Sequence, residues 1–261
     1  MCLATYFKNK GRDVVVVFDD LSTHAQFYRE ITLLSKKFPG RDSYPGDIFY
    51  KHAKLLECAG NYNVNNNEVS ITALPVAETR EGELTDYITS NLISITDGHI
   101  LFDQKSFNKG IRPAINISLS VTRVGKQTQQ SLAREITRNL LTFLNNYDKA
   151  LEFSHFGSEL SASSKQSILI GEKMYKLFEQ NIDETMPINV QQFLIAVVWK
   201  EVLTNIKPYQ IPIVRKKIIN DYINNKETQK YIDSLVTQNN LDDLLNVIEK
   251  EKDKIISLCK I

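Results

Sequence analysis

The order of hydrophobic and polar positions divides the chain into two parts. In the first half, short β-branched apolar runs alternate with helical patterns, which predicts strands separated by helices and hence a mostly parallel sheet. The first run, VVVVF at 14–18, is continuous, as expected for a strand covered on both faces. The predicted strands are 14–18, 70–76, 92–96 and 115–121. The predicted helices are 21–37, with Ser22 as its N-cap, and 47–60, ending at Gly60.

From about residue 127 the period of the apolar positions becomes helical, and no glycine follows Gly171. The stripes are Ile136, Leu140, Phe143, Leu144, Tyr147 and Leu151; Ile168–Phe178; Val190, Phe193, Leu194, Val197, Val198 and Trp199; and Leu241, Leu244, Leu245, Ile248, Ile255, Ile256 and Cys259. Asn189 followed by Gln192 resembles a capping box. The pattern predicts an α/β domain over 1–126, with a polar surface loop over NYNVNNNEV at 61–69, and a helical domain over 127–261.

Composition limits the possible functions. The 261 residues are 42% hydrophobic and 24% charged with a net charge of +1, which is ordinary for a soluble globular protein and favours neither nucleic acid nor a membrane surface. No apolar run approaches the ~20 residues of a membrane-spanning helix. The three cysteines and four histidines show no zinc-site spacing and are compatible with a reducing compartment.

A carboxylate follows the first predicted strand. Asp19, at the end of VVVVFDD, fits the Walker B pattern, in which a buried strand delivers an aspartate that helps to hold Mg²⁺. An aspartate at this edge of a sheet can equally be a plain solvent-facing residue. The matching phosphate loop, GxxxxGK[ST], is missing: the single Gly-Lys pair, Gly125-Lys126, fails the pattern at both ends. The chain is therefore either not an NTPase or a partial one.

Arg123 ends the predicted strand 115–121, in the stretch RPAINISLSVTRVG. It can be a surface arginine that caps the strand or pairs with an acidic residue. It can also be an arginine finger, because a planar guanidinium grips a phosphate bidentately and can act on a neighbouring subunit's ligand. Spacing alone leaves both interpretations open.

Four long segments resemble the alpha subunits of F-type ATP synthases: VVVVFDDLSTHAQFYREITLL, FPGRDSYPGDIFYKHAKLLECAG, SITALPVAETREGELTDYITSNLISITDGHI and FNKGIRPAINISLSVTRVG. The likeness continues more weakly through FSHFGSEL into the helical part. The catalytic beta subunits have a different, acidic sequence in place of the PAIN stretch, and vacuolar-type non-catalytic subunits are less similar. The resemblance implies the C-terminal part of a RecA-like P-loop NTPase parallel sheet, followed by an all-α C-terminal helical domain. We expect the chain to correspond to a C-terminal portion, without the N-terminal barrel and the Walker A half, through truncation, gene splitting or a partial sequence.

The resemblance also implies roles for individual residues. Arg123 matches the arginine that reaches into the beta subunit's catalytic site, and Ser94 matches a serine near that interface. Asp19 matches the Walker B aspartate of alpha's own non-catalytic site. The residues that match its adenine pocket are Phe107, Arg112, Pro113 and Gln180. Two positions depart from the pattern: Thr122 replaces the last serine of the signature, and Ile182 replaces a second pocket glutamine, which weakens a polar contact to adenine.

Each implied role has a simpler alternative. Phe107 and Pro113 can be packing residues, Ser94 a strand serine bonded to backbone, and Gln180 a solvated glutamine at a helix end. Arg123 ranks first among the implied site residues, because its role needs no phosphate loop in its own chain.

The expected function follows from the resemblance. The chain would be a non-catalytic alpha subunit, or a fragment of one, in the proton-transporting ATP synthase. It would act as part of that ATPase complex and would not be active alone. Its ligand would be ATP or ADP with Mg, although the missing phosphate loop weakens binding by this chain alone. Its partners would be beta subunits, the gamma stalk and the delta subunit, in a hetero-oligomeric ring, and it would bind no nucleic acid. The complex would hold it peripherally on the cytoplasmic face of a bacterial membrane or on an organelle inner membrane. The rivals are a non-enzymatic assembly protein and a poorly soluble gene remnant.

Overall fold

The structure is a computed structural model that describes residues 1–79, 82–125, 127–155 and 162–260. Lys126 of the Gly-Lys pair and the second half of FSHFGSEL lie outside the described residues. The chain forms two compact units, Met1–His99 and Ile100–Ile261. A domain boundary at residue 126 stays a prediction. Within the described part of the chain, no helix is both long enough and apolar enough to cross a membrane.

The first unit is a three-stranded sheet with helices, which confirms an α/β arrangement. Its elements are α1 (Cys2–Asn9), β1 (Val14–Phe18), α2 (Leu21–Leu34), α3 (Ile48–Leu56), β2 (Gly60–Val64), β3 (Asn67–Pro75), α4 (Tyr87–Ile95) and the short β4 (Gly98–His99), with a 3₁₀ turn at Arg41–Ser43. The strand order is β1-β3-β2. Strands β1 and β3 are parallel, with Val14 opposite Ile71 and Phe18 opposite Pro75, whereas β2 runs antiparallel to β3.

Only one face of β1 is covered, so the prediction of a strand buried on both faces is wrong. Phe18 packs against a core of Leu21, Ala25, Ile48, Leu56, Ile88 and Leu92, which helices α2, α3 and α4 provide. On the opposite face, Val15 and Val17 are 66% and 58% exposed. Leu74 of β3 is opposite Val17 in the register and is also exposed. An apolar sheet face therefore remains open.

The polar loop predicted at 61–69 instead belongs to the hairpin β2–β3. Asn65 and Asn66 both have positive φ, 52° and 65°, which is the backbone of a two-residue turn that suits right-twisted strands. Asparagine tolerates this conformation better than most residues. Gly60 starts β2 and does not cap the preceding helix, which ends at Leu56.

Helix α2 begins shortly after β1, and its N-cap is Asp20. The Asp20 carboxylate accepts a hydrogen bond from the Thr23 amide, whereas Ser22, the predicted cap, is buried and accepts from the Glu78 amide at 3.0 Å. One turn further, His24 Nδ1 lies 3.0 Å from Nε2 of His52, a buried residue of α3. Burial lowers the pKa of His52 from 6.5 to about 4, and the nearby His24 adds to this effect.

This histidine pair predicts a loss of stability at mildly acidic pH. The unfolded chain binds a proton at residue 52 near pH 6.5, but the folded chain binds it only near pH 4, so stability present above pH 6.5 is lost as pH falls between these values. We expect the free energy for opening α2 and α3 to decrease by about 2 kcal/mol from pH 6.5 to 4.5. Native-state hydrogen exchange of these helices, corrected for the intrinsic rate, would measure it. His52→Gln should abolish the pH dependence of this opening free energy, and His99→Gln should retain it. An equal pH dependence in both variants would show that His52 is not its source.

The second unit is mainly helical, which confirms the predicted all-α character of the C-terminal part. Its elements are α5 (Gln104–Asn108), β5 (Val121–Thr122), α6 (Ser131–His155), α7 (Ala162–Phe178), α8 (Ile188–Trp199), α9 (Ile211–Asn224), α10 (Lys226–Leu235), α11 (Leu241–Lys250) and α12 (Lys252–Cys259), with a 3₁₀ turn at Pro208–Gln210. One apolar core joins the helices, with Phe193, Leu194, Ile218, Leu244, Ile248 and Ile255 at its centre.

The predicted stripes lie on α6, α7, α8, α11 and α12, whereas α9 and α10 were not predicted. The capping box at Asn189 is wrong, because α8 begins at Ile188 after Pro187, and the Asn189 side chain instead donates from Nδ2 to the Asp233 carboxylate at 2.7 Å. Asp233 also accepts from the Tyr222 hydroxyl at 2.7 Å, so this network ties α8, α9 and α10 together.

Candidate functional site

Arg123 is an exposed residue directly after the two-residue strand β5. In the turn that follows, the Gly125 amide donates to the Thr122 hydroxyl at 2.9 Å. The hydroxyl that Thr122 retains from the family signature thus shapes the bend that contains Arg123. Val121 and Val124 on either side are also exposed, so the bend lies at the surface of its unit.

The predicted buried strand 115–121 is wrong over most of its length. The Asn116 side chain accepts from the Leu119 amide at 3.0 Å, and its carbonyl accepts from the Ser120 amide at 3.1 Å. Asparagine competes with a ladder by bonding its own neighbouring backbone, and here it folds 116–120 into a turn. Leu119 is consequently exposed. Arg123 is therefore presented from a turn and a short strand.

Ser94 lies in the last turn of helix α4, so the predicted strand 92–96 is wrong. Ile88 and Leu92 of α4 are buried in the core of the first unit, a helical spacing that overrides the β-branched appearance of the segment. Ser94 is exposed, and its hydroxyl donates to the Asn91 carbonyl at 2.7 Å. Ser94 belongs to the first unit and Arg123 to the second.

Asp19 is exposed and follows β1 at its carboxyl end, as the Walker B pattern predicts. Across the described ranges, no group of three or more His, Cys, Asp or Glu side chains is able to hold a metal ion. Magnesium is usually held by one or two carboxylates together with substrate phosphates and waters. Asp19 alone fits one such ligand but does not form a complete metal site.

Three of the four predicted adenine-pocket residues meet in the second unit. Phe107 lies on the short helix α5, where Asp103 accepts from the Ser106 amide at 2.9 Å and its hydroxyl at 2.7 Å. These bonds hold the pKa of Asp103 below its ordinary value. The Arg112 guanidinium lies 3.7 Å from the centroid of the Phe107 ring and donates to the Phe107 carbonyl at 2.8 Å. The residue Phe107 is 52% exposed, so aromatic surface remains available to a planar base.

Gln180 joins this cluster from the segment between α7 and α8. Its amide donates to the Arg112 carbonyl at 2.8 Å, and its side chain donates to the Glu184 carbonyl. A shallow cavity of about 150 Å³ lies beside it, lined by Leu177, Phe178, Gln180, Met186, Gln191 and Ile195. Pro113 follows Arg112 and is exposed, as is Ile182, so the isoleucine that replaces the second glutamine lies on the surface of the same segment as Gln180.

A buried ion pair supports the Gln180 segment, and sequence reasoning did not identify it. Arg215 of α9 donates bidentately to Glu184, from Nε to Oε1 and from Nη2 to Oε2, each at 3.0 Å. It also donates from Nη1 to the Leu177 carbonyl at 3.0 Å. The two residues are 31 positions apart, so no local motif signals the pair, although an arginine between apolar positions of a helical stripe is an unusual feature.

Two family models match the protein in succession. The model of the nucleotide-binding domain of the ATP synthase alpha/beta family matches residues 1–122, and the model of the C-terminal domain of that family matches residues 129–254. The protein belongs to the ATP synthase alpha/beta family. The order of the two models, with the sheet followed by helices, confirms the predicted fold of a nucleotide-binding α/β domain followed by a helical domain.

Relatives within the ATP synthase alpha/beta family place the chain among alpha subunits. It is 38% identical over 252 residues to the ATP synthase subunit alpha of Carsonella ruddii, covering 94% of this chain and 52% of that one. It is 38% identical over 266 residues to that of Mycoplasmopsis synoviae, covering 99% and 48%. It is 43% identical over 188 residues to the mitochondrial alpha subunit of Neurospora crassa, covering 72% and 34%. The chain spans about half the length, or less, of these curated relatives.

Proposed function

We propose that the chain is a non-catalytic, alpha-type subunit, or part of one, that packs with beta subunits in the hetero-oligomeric ring of a proton-transporting ATP synthase. The observation that supports this proposal best is the ordered match to both domains of the family along nearly the whole chain. The gamma stalk and the delta subunit complete the set of partners. Association with the membrane is peripheral and passes through the complex.

Within that ring, Arg123 acts on the nucleotide of a neighbouring beta subunit. The exposed bend between Thr122 and Gly125 presents a long, permanently charged side chain at the surface of its unit. A guanidinium can donate two parallel hydrogen bonds to phosphate oxygens and stabilise the negative charge that develops during phosphoryl transfer. Ser94, exposed at the end of α4, supplies a hydroxyl to the same alpha–beta interface.

The cluster of Phe107, Arg112 and Gln180 is the chain's own, non-catalytic nucleotide site. The half-exposed aromatic ring provides a stacking surface for adenine, the Gln180 side chain provides an amide, and Pro113 borders the site. Asp19, which lies in the first unit, would contribute one carboxylate to a Mg²⁺ ion bound with ATP or ADP. Because Asp19 alone does not form a metal site, we assign no chemical step to that ion.

Affinity capture tests the proposed function. The chain, expressed together with the beta and gamma subunits of its own complex and carrying an affinity tag, should retain both partners through size-exclusion chromatography. A tagged first unit alone is not a suitable substitute, because only the whole chain is matched by both family models. Recovery of the chain as a monomer, with beta and gamma in separate fractions, would contradict the proposal and favour the interaction-protein or gene-remnant alternatives.

A further inference from the structure

We propose that Arg215 and Glu184 are positioning residues for the adenine site: they hold the segment between α7 and α8 so that Gln180 stays joined to Arg112 and Phe107. This inference rests on the proposed function, because it concerns the same non-catalytic site. It goes beyond that function by assigning the geometry of the site to an ion pair between this segment and α9, a helix that does not line the site. The following contacts support it.

The first step is the anchoring of Glu184 in the helical core. Arg215 is only 2% exposed, and the side chain of Glu184 is 14% exposed. The two hydrogen bonds of 3.0 Å between them fix the carboxylate in position and in rotation, because the arginine fork is planar and rigid. The third bond of Arg215, to the Leu177 carbonyl, ties the same guanidinium to the end of α7.

The second step runs from Glu184 to Gln180. The Glu184 carboxylate accepts from the Asn181 amide at 3.4 Å, and the Glu184 amide donates to the Asn181 carbonyl at 3.2 Å. The Glu184 carbonyl accepts from the Gln180 side chain. Glu184 thus closes a compact turn whose first residues are Gln180 and Asn181, and fixing its carboxylate fixes that turn.

The third step reaches the aromatic ring. The Gln180 amide donates to the Arg112 carbonyl at 2.8 Å, and the Arg112 guanidinium lies over Phe107. A continuous series of described contacts therefore connects α9 to the ring that would stack on the base. Since Gln180 is exposed, solvent would otherwise compete for its hydrogen bonds, and the buried pair restricts the segment to one geometry.

A purely structural role for the ion pair is the alternative. Buried ion pairs contribute little net stability relative to well-packed apolar side chains of similar volume, whereas removing one partner leaves an uncompensated charge and is strongly destabilising. The double variant Arg215→Met with Glu184→Leu removes the charges together and restores packing. If this double variant is stable but still binds adenosine more weakly, the loss of binding comes from the position of the Gln180 segment and not from unfolding.

The experiment measures adenosine binding to the full-length chain by NMR titration, because adenosine probes the base site without a phosphate loop. We expect Glu184→Gln, Arg215→Lys and the double apolar variant each to weaken adenosine binding about fivefold or more, the loss that accompanies one or two misplaced hydrogen bonds. Thermal unfolding of the same samples should show that the double variant keeps more stability than Arg215→Met alone. Phe107→Ala is the control that removes the base site itself.

The outcomes distinguish the inference from the proposed function. Binding that is lost in Phe107→Ala but unchanged in Arg215→Lys and in the double variant would overturn the positioning role and leave the adenine site intact. Absence of adenosine binding by the wild-type chain, or binding that is insensitive to Phe107→Ala, would overturn the proposed adenine site and the positioning role with it.

Discussion

A complex assembled with Arg123→Ala is expected to hydrolyse ATP about a thousandfold more slowly, or slower still, than the complex with the wild-type chain. The physical reason is the charge of the transferring phosphoryl group, which a guanidinium supplied in trans neutralises in a site poor in water. Alanine removes the charge and the two hydrogen bonds proposed to the phosphate of the neighbouring subunit. The turn that carries residue 123 should persist, because the Gly125 amide still donates to the Thr122 hydroxyl. Steady-state hydrolysis at saturating ATP measures the effect.

Two variants make this test specific. Arg123→Lys keeps one positive charge without the planar fork, and we expect an activity between those of alanine and wild type. Arg134→Ala removes another arginine of the second unit, outside the bend that carries Arg123, and should leave the rate within about twofold. If Arg123→Ala retained the wild-type multisite rate in a complex of normal composition, the assignment of Arg123 as the arginine finger would be wrong.

Gly171→Ala should destabilise the second unit by about 3 kcal/mol, at the upper end of the range for overpacking a well-packed core. A Cβ at Gly171 of α7 would lie 2.1 Å from Cδ2 and 2.5 Å from Cε2 of Tyr147 on α6. Tyr147 cannot easily move away, since it is buried and its ring also packs against Tyr175 at a centroid distance of 5.4 Å. Burial, together with the charges of Glu172 and Asp148, raises the pKa of Tyr147 to about 12.

Chemical denaturation followed by circular dichroism at the helical band tests this prediction. Alanine is favoured over glycine within a helix by roughly 1 kcal/mol, so the variant would be stabilised if the ring could turn aside without cost. Gly46→Ala is a matched control, because a Cβ there meets no atom within 4 Å and its backbone is not in the left-handed region. Equal midpoints for Gly171→Ala and wild type would show that α6 and α7 can separate to admit a methyl group.

Periodicity predicted the elements whose signal is local and strong. The continuous apolar run at 14–18 is β1, Asp19 lies at its carboxyl end, and the stripes after residue 127 lie on helices. Here the hydrophobic pattern and the backbone preference of the residues agree, so the sequence alone is sufficient to predict the type of secondary structure. The open face of β1 was not predictable, because an apolar run does not show whether other elements cover one face of the strand or both.

Segments in which two preferences compete were predicted wrongly. The β-branched residues around Ser94 favour a strand, but burial of Ile88 and Leu92 at helical spacing determines α4. The alternating run after Pro113 favours a strand, but the Asn116 side chain turns the backbone. Side-chain bonds to nearby backbone have little weight in a pattern of apolar positions, and these two errors concern the segments that carry Ser94 and Arg123.

The contacts that hold the cluster of Phe107, Arg112 and Gln180 could not be predicted either, because they join residues that are distant in sequence. Gln180 meets Arg112 through a backbone hydrogen bond, and Glu184 meets Arg215 through side chains. The family resemblance identified Phe107, Arg112 and Gln180 as candidates one position at a time. That these three residues lie together in the second unit is seen only in the three-dimensional structure.

We propose that this protein acts as an alpha-type subunit whose Arg123 completes the catalytic site of a neighbouring beta subunit. The most direct measurement is the ATP hydrolysis rate of the complex's beta and gamma subunits with this protein as the sole alpha-type subunit, compared with the same mixture without it. We expect that hydrolysis depends on the added protein, saturates at a fixed ratio to beta, and is lost with Arg123→Ala. A rate that is the same with and without the protein would contradict it.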